Sequence, residues 1–516
     1  MTKDMHYTEY LNRVRGCILG LGDMTWIEPA LRVVAKHGAD FTGEQLAAAY
    51  NASGALTPHF LRNMARGITP PLAVFDDPER GGPGGMDCAP LWACVCPGDP
   101  ERAMEYAARD ASVDHVGEAV EAAQFLAAAM ALAFVRGSAQ ACLIEAAALL
   151  REESRIARLV LDACALCGDN PGEARARMDW RYGGVDGSLL PRLSQMLLSL
   201  LLSDVPDRLA AAFQGILTGT ESVSDVSDAA AARVSRAGLS CMEMAARRGG
   251  ELPVRVTSAP FVAVPGDAQP VSRITVTYMG PPVLRPGHAR QCMLNIVNCG
   301  KQALEGPIIY EAQGSVQALT AAQAKVLPGQ TAHIPFTVWM PEDVDTVCES
   351  NRLSVSFAGL THTFGVAGAQ GWRVCGCMGL AEKSVYEGRG LPERPLWEPC
   401  FIEGSRIKLD ALNGWVGPCS FVLERTLVIR RDIRVDVEVR RTCPFALELD
   451  GQTLLRGEGT DGWALAAAQE PGVELTAGEH TLRLTLDRRS PGGSIEVALL
   501  CGGALLAVES KNPKKG

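Results

Sequence analysis

Near residue 250 the chain changes its hydrophobic period, and that change decides what the two halves can fold into. Before it, Ala and Leu dominate and apolar residues recur about every 3.6 positions. Within Glu118–Val135 the apolar set is Val120, Ala123, Phe125, Leu126, Met130 and Phe134, with Ala between them. Glu28–His37, Arg102–Arg109, Ser138–Leu150, Glu153–Cys167, Leu189–Leu202 and Val205–Leu217 carry helical signals too. Turn and cap signals part them at Pro97-Gly98-Asp99-Pro100, Gly168-Asp169-Asn170-Pro171 and Gly183-Gly184. After residue 250 short alternating or β-branched runs take over: Ser272–Tyr278, Gln291–Val297, Thr331–Val338, Arg352–Phe357, Cys419–Val428, Ile433–Val439, Ala446–Leu449 and His480–Leu486. Asp450-Gly451 and Pro491-Gly492-Gly493 read as turns between strands.

The expected architecture is therefore a multidomain chain. It has an all-helical domain over residues 8–248, an Ig-like β-sandwich over 253–375 and a jelly-roll-like β-sandwich over 380–510. A length of 516 residues suits about three domains. The formal net charge of −10 argues against a general nucleic-acid binder, which needs clustered Lys and Arg. The longest apolar stretches, near Phe125–Val135 and Met196–Leu202, fall short of the roughly 20 residues that span a bilayer, so no membrane partner is expected. Met1–Arg15 lacks the apolar core of a secretory signal, which sets the expectation of a soluble, cytoplasmic protein. The 17 cysteines are scattered, with Cys164–Cys167 the one CxxC, and read as small buried hydrophobes.

An ordered series of motifs fills the first half. Arg13-Val14-Arg15-Gly16-Cys17-Ile18-Leu19-Gly20 leads into Gly22-Asp23-Met24-Thr25. Gly84-Gly85-Met86-Asp87-Cys88-Ala89-Pro90 follows, then Pro97-Gly98-Asp99-Pro100-Glu101, then Asp110-Ala111-Ser112-Val113-Asp114-His115-Val116-Gly117-Glu118. In order and spacing this series resembles the ADP-ribosylglycohydrolase family. The resemblance implies a helical fold, cleavage of an N- or O-glycosidic bond of ADP-ribose or a related glycoside, and a pair of Mg²⁺ ions on hard oxygen ligands. The expected partner is a small-molecule or ADP-ribosylated substrate. It assigns Asp23 and Glu221 to catalysis, and Asp23, Thr25, Glu221, Ser222 and Asp225 to the metal. Met86, Asp87, Asp114, His115 and Glu118 go to the substrate.

The chain departs from the family's pattern in both acidic clusters. Gly22 stands where the early cluster has its first Asp, and Thr220-Glu221-Ser222-Val223 stands for the late Gly-x-Asp-Thr-Asp-like cluster. Asp23 and Glu221 bring two negative charges against the four positive charges of two Mg²⁺. Two readings follow: a Mg²⁺-assisted hydrolase, or an inactive descendant that binds ligand or serves assembly. The first requires Asp23 and Glu221 to converge in one cavity. Asp114 has a second reading as a helix N-cap, and Glu118 as its capping-box partner. Trp92 is either core or an adenine platform. Trp397, Trp415 and Trp463 are either core or sugar-stacking residues of a glycan-binding C-terminal module.

Overall fold

The structure, a computed structural model, describes residues 2–183, 188–202, 206–221, 225–262, 264, 271–318, 322–378, 395–412, 417–458, 466–489 and 492–515. Among these, thirteen α-helices precede residue 250: α1 Tyr7–Leu21, α2 Glu28–His37, α3 Gly43–Ser53, α4 Pro58–Arg66, α5 Ala89–Val95, α6 Pro100–Ala111, α7 Glu118–Leu132, α8 Ala139–Ala147, α9 Arg155–Ala165, α10 Pro171–Tyr182, α11 Leu189–Leu202, α12 Arg208–Thr218 and α13 Asp225–Arg247. None of the described helices is long and apolar enough to cross a membrane. The chain forms two compact units. One is Met1–Leu56 with Glu79–Ala268, and the other is Thr57–Pro78 with Gln269–Gly516. The expected helical span of 8–248 thus includes a stretch, containing α4, whose contacts group it with the β-rich unit.

In the helical unit the start signals act through side-chain caps. Thr42 closes a capping box with Gln45, and Asp99, Asn170 and Asp207 each accept backbone N–H groups of the following turn. α7 is buried along most of its length, and its alanines let neighbouring helices approach closely. α1 and α12 touch backbone to backbone. A Cβ on Gly16 would lie 2.3 Å from the Gly215 carbonyl oxygen, and one on Gly20 would lie 2.4 Å from the backbone of Ala211 and Ala212. At the other end the Thr220 amide donates to the Asn12 carbonyl at 3.1 Å. The two helices therefore run antiparallel. Lys3–His6 pairs in parallel with Val254–Thr257, which joins the two ends of this unit.

Among the described residues the second unit holds four antiparallel-rich sheets. Arg273–Tyr278, Ala289–Val297, Thr331–Trp339 and Gln317–Ala318 form one sheet. Val283–Leu284, Leu360–Gly368, Ser350–Phe357, Leu304–Gln313 and Ala322–Val326 form its partner, with Leu294, Ile308, Val355 and Phe364 in the core between them. An eight-stranded sheet centred on Cys419–Ile429 and Gly478–Arg488 packs on a five-stranded sheet centred on Ile433–Arg441 and Ser494–Cys501, around Phe421, Leu423, Val437 and Leu484. Gln370–Met378, placed in the first sandwich by the expected boundary at 375, pairs with Cys419–Ile429 of the second. Thr346–Cys348 also joins that sheet, through Glu509–Lys511.

α4 docks within this unit by its polar face: His59, Arg62, Asn63 and Arg66 are all buried. His59 Nε2 lies 2.7 Å from Glu496 Oε1, Arg62 pairs with Asp76 at 2.5 Å, and Arg66 pairs with Glu349 at 3.1 Å.

Candidate functional site

α1 ends at Gly22, whose φ of +70° suits a residue without a Cβ. The chain then turns on Asp23. Its Oδ1 accepts the Thr25 amide at 2.9 Å and the Thr25 hydroxyl at 2.6 Å. These two hydrogen bonds hold the exposed Asp23 carboxyl below its ordinary range, and the Arg208 guanidinium acts in the same direction.

A second strand of the site comes from the turn Pro83–Met86. Gly84 and Gly85 lie against the His115 ring; a Cβ on either would come within 3.2–3.3 Å of the imidazole. His115 Nδ1 and Asp114 Oδ1 are 2.5 Å apart. Met86 is buried, and Asp87 pairs with Arg208 at 2.6 Å. Burial pushes the Asp87 carboxyl up, against the pull of Arg208, Arg192 and His115. The start of α12 organises these cations. Asp207 caps the helix by accepting from the Leu209 and Ala210 amides, and its second oxygen takes Arg192. Asp87 thus lies in the field of Arg208, Arg192 and His115, His115 is held by Asp114, and Arg208 also acts on Asp23. Neither arginine was among the residues expected from sequence, because an arginine at a helix start reads as an ordinary solvated side chain.

Beside the His115 turn lies a cavity of about 390 Å³ lined by Gly81, Val116, Glu118, Ala119, Tyr182 and Leu189 among others. Glu118 lines it and also pairs with Arg155 at 3.2 Å. The capping readings do not hold. α7 begins at Glu118 with Gly117 at the N-cap, φ +60°, so Asp114 caps no helix and Glu118 completes no box with it.

The expected metal set is not assembled by the described residues. Glu221 is exposed and follows Thr220, which bonds Asn12, whereas Asp23 follows the far end of α1. Asn12 and Leu21 are separated by about 14 Å of helix axis. Two bridged Mg²⁺ ions sit only about 4 Å apart, so their shared ligands must crowd far more closely. Asp23 is turned to Thr25, and the Arg208 guanidinium that acts on it begins α12, at the opposite end of that helix from Glu221. Ser222 and the Asp225 side chain lie outside the described residues. Asp228, a turn further into α13, pairs with Arg15 at 2.5 Å. Among the described residues no three His, Cys, Asp or Glu side chains cluster as a metal cage. Asp23 and Glu221 thus lie toward opposite ends of α12, and Ser222 and the Asp225 side chain fall outside the described residues, so the described residues alone do not assemble the expected two-Mg²⁺ set.

Behind the site Asp110 is fully buried. It accepts the Tyr50 hydroxyl at 2.7 Å and the Trp92 indole N–H at 2.8 Å. Trp92 is core, stacked on Phe41 at 4.9 Å. Burial pushes the Asp110 carboxyl up to about 6, with the Tyr50 and Trp92 hydrogen bonds opposing and Asp114 adding to the rise. Its folded value exceeds its unfolded value of about 4, so the fold favours the neutral acid. This group's contribution to stability is then lost as pH rises from about 4 to about 6. Asp110→Asn will be less stable than the parent at pH 4, because its amide meets two donors. That deficit will shrink by about 2–3 kcal/mol by pH 7. Denaturant melts of both proteins across this range check it; parallel stability profiles would contradict the assignment.

Of the aromatic residues considered for glycan stacking, Trp397 lies beneath the Arg373 guanidinium, 5.3 Å from the ring centre. Trp415 and Trp463 lie outside the described residues.

Residues 26–250 match the ADP-ribosylglycohydrolase family model, beginning just after Asp23 and Thr25. No curated protein matches the chain. Among solved structures, the chain is similar to an anti-sigma factor domain-containing protein from Clostridium clariflavum, at 11% identity and TM-score 0.20, over 43% of this chain and 83% of that one. It is also similar to the PA14 sugar-binding domain from an RTX adhesin, at 18% identity and TM-score 0.16, over 19% and 55%. A third is a β-glucosidase from Kluyveromyces marxianus in complex with glucose, at 12% identity and TM-score 0.19, over 26% and 16%. Scores of this size carry no argument about the site.

Proposed function

From the premise that residues 26–250 form an ADP-ribosylglycohydrolase family domain, we propose that the helical unit binds an ADP-ribose-type ligand without hydrolysing it. The observation that carries this reading is the Arg208–Asp87 ion pair at 2.6 Å, with Asp23 in the field of the same guanidinium. Hydrolysis with Mg²⁺ help needs carboxylate oxygens free to hold a hard divalent ion and its waters. Here Asp23, the early member of the expected metal set, already lies in the field of a cation of the chain itself, and that cation is fixed by Asp87. A guanidinium suits a different task, the recognition of phosphate oxygens through paired N–H donors. Arg208 and Arg192 supply that for a diphosphate by turning part of their N–H forks from Asp87 and Asp207 to the ligand. Asp114 orients His115 as a partner for ribose hydroxyls, Gly84 and Gly85 seat its ring with Met86 buried beneath, and Glu118 lines the neighbouring cavity.

Arg- and Ser-linked ADP-ribosylated peptides incubated with the full chain and Mg²⁺ test this reading. The expected result is no release of ADP-ribose above the protein-free rate. Mg²⁺-dependent release that Asp23→Ala abolishes would establish a hydrolase instead.

A further inference from the structure

α2 and α13 face each other across a groove that shares no lining residue with the Arg208 site. α2 contributes Glu28, Leu31, Arg32 and Ala35; α13 contributes Arg233, Arg236, Ala237 and Ser240. Each set follows i, i+3, i+4, i+7, so each is one continuous helical face. Val262 closes one side, and the groove encloses about 260 Å³.

Its charges do not balance. Arg32 and Arg233 share the single Glu28 carboxylate, and among the described residues Arg236 has no ion-pair partner. Three guanidinium groups against one carboxylate leave two positive charges. Ser240 adds a second, independent observation. Its side chain is 4% exposed and its Oγ has no hydrogen-bond partner, although it borders the groove. A buried hydroxyl without a partner is costly and calls for one. The remainder of the lining is apolar: Leu31, Ala35, Ala237 and Val262.

We propose that this groove binds an organic phosphate monoester. A phosphate monoester carries about −1.5 to −2 at neutral pH, which matches the uncompensated charge. Its oxygens accept from the guanidinium forks and from Ser240, and its carbon body lies on the apolar half. A dry pocket of about 150 Å³ holds a benzene ring, so the groove has room for a phosphoryl group and a body of about that size.

The probe is phenyl phosphate, titrated into the full chain by calorimetry and ³¹P NMR, with inorganic phosphate and benzoate as separate arms. Phenyl phosphate should bind at least tenfold more tightly than either. Arg236→Ala should weaken it at least tenfold, and Arg236→Lys should restore part of the loss. Ala35→Glu, at an exposed position, should abolish binding while the circular dichroism spectrum stays unchanged. No binding at millimolar concentration, equal affinity for inorganic phosphate, or indifference to both Arg236→Ala and Ala35→Glu would overturn the assignment. None of these outcomes depends on ADP-ribose, so this inference and the reading of the Arg208 site fail separately.

Discussion

Glu349→Ala will destabilise the β-rich unit by about 3–5 kcal/mol, the cost of removing one member of a buried charge cluster. Glu349 is 3% exposed and holds two arginines at once: Arg425 at 2.6 Å and Arg66 at 3.1 Å, themselves 6% and 5% exposed. It also accepts the Val508 amide at 3.3 Å. Alanine would leave two guanidinium groups in a dry site with no anion between them. Asp76 offers little relief, since it is bonded to Arg62 and lies 4.0 Å from Arg66. The effect on pH dependence has a definite sign. Burial raises the Glu349 carboxyl, but Arg425, Arg66 and Arg62 outweigh it and hold the group below its ordinary value. Its contribution is therefore present above the usual carboxylate range and lost as pH falls through the lowered folded value. Denaturant melts should show the variant nearest its parent at low pH and furthest from it at neutral pH. A loss under 1 kcal/mol at pH 7 would mean that water or the backbone satisfies both arginines.

Gly215→Ala will cost the helical unit about 3 kcal/mol or more, although helix propensity alone favours alanine by about 1 kcal/mol. The new methyl would lie 2.1 Å from the Gly16 carbonyl oxygen and 2.3 Å from its carbon. These are backbone atoms of α1, so no rotamer change can yield. The two helices must part along their whole contact, from Gly20 at Ala211 to Asn12 at Thr220. A gain in melting temperature would show that α1 and α12 are not in backbone contact.

Much of the fold was legible because local pattern and tertiary environment agree. α11 spans Leu189–Leu202, as its apolar period indicates, and Gly478–Arg488 contains the expected strand His480–Leu486. Asp450 and Gly451 both have positive φ, +50° and +80°, as a tight hairpin turn between Leu449 and Gln452 requires. α4 was not legible. Of its five buried residues only Phe60 is apolar; His59, Arg62, Asn63 and Arg66 form a pattern that hydrophobic periodicity assigns to solvent. Asp76, close in sequence, and Glu349 and Glu496, nearly 300 or more positions away, together make that face an interior one. The site was legible in part. The family resemblance pointed to Met86, Asp87, Asp114, His115 and Asp23, of which Asp87 and Asp23 share Arg208 and Asp114 holds His115. It carried no information on the direction of α12 relative to α1, which takes Glu221 away from Asp23 and brings Arg208 to it.

The Arg208 guanidinium, paired with Asp87 and acting on Asp23, stands in the proposed reading where Mg²⁺ would otherwise be needed to bind the ligand. The most direct measurement is the affinity for ADP-ribose in Mg²⁺ and in EDTA, for the parent chain and for Arg208→Ala. The expected result is equal affinity in both buffers for the parent, and at least tenfold weaker binding for the variant. Binding by the parent that requires Mg²⁺, and that Arg208→Ala leaves intact, would contradict it.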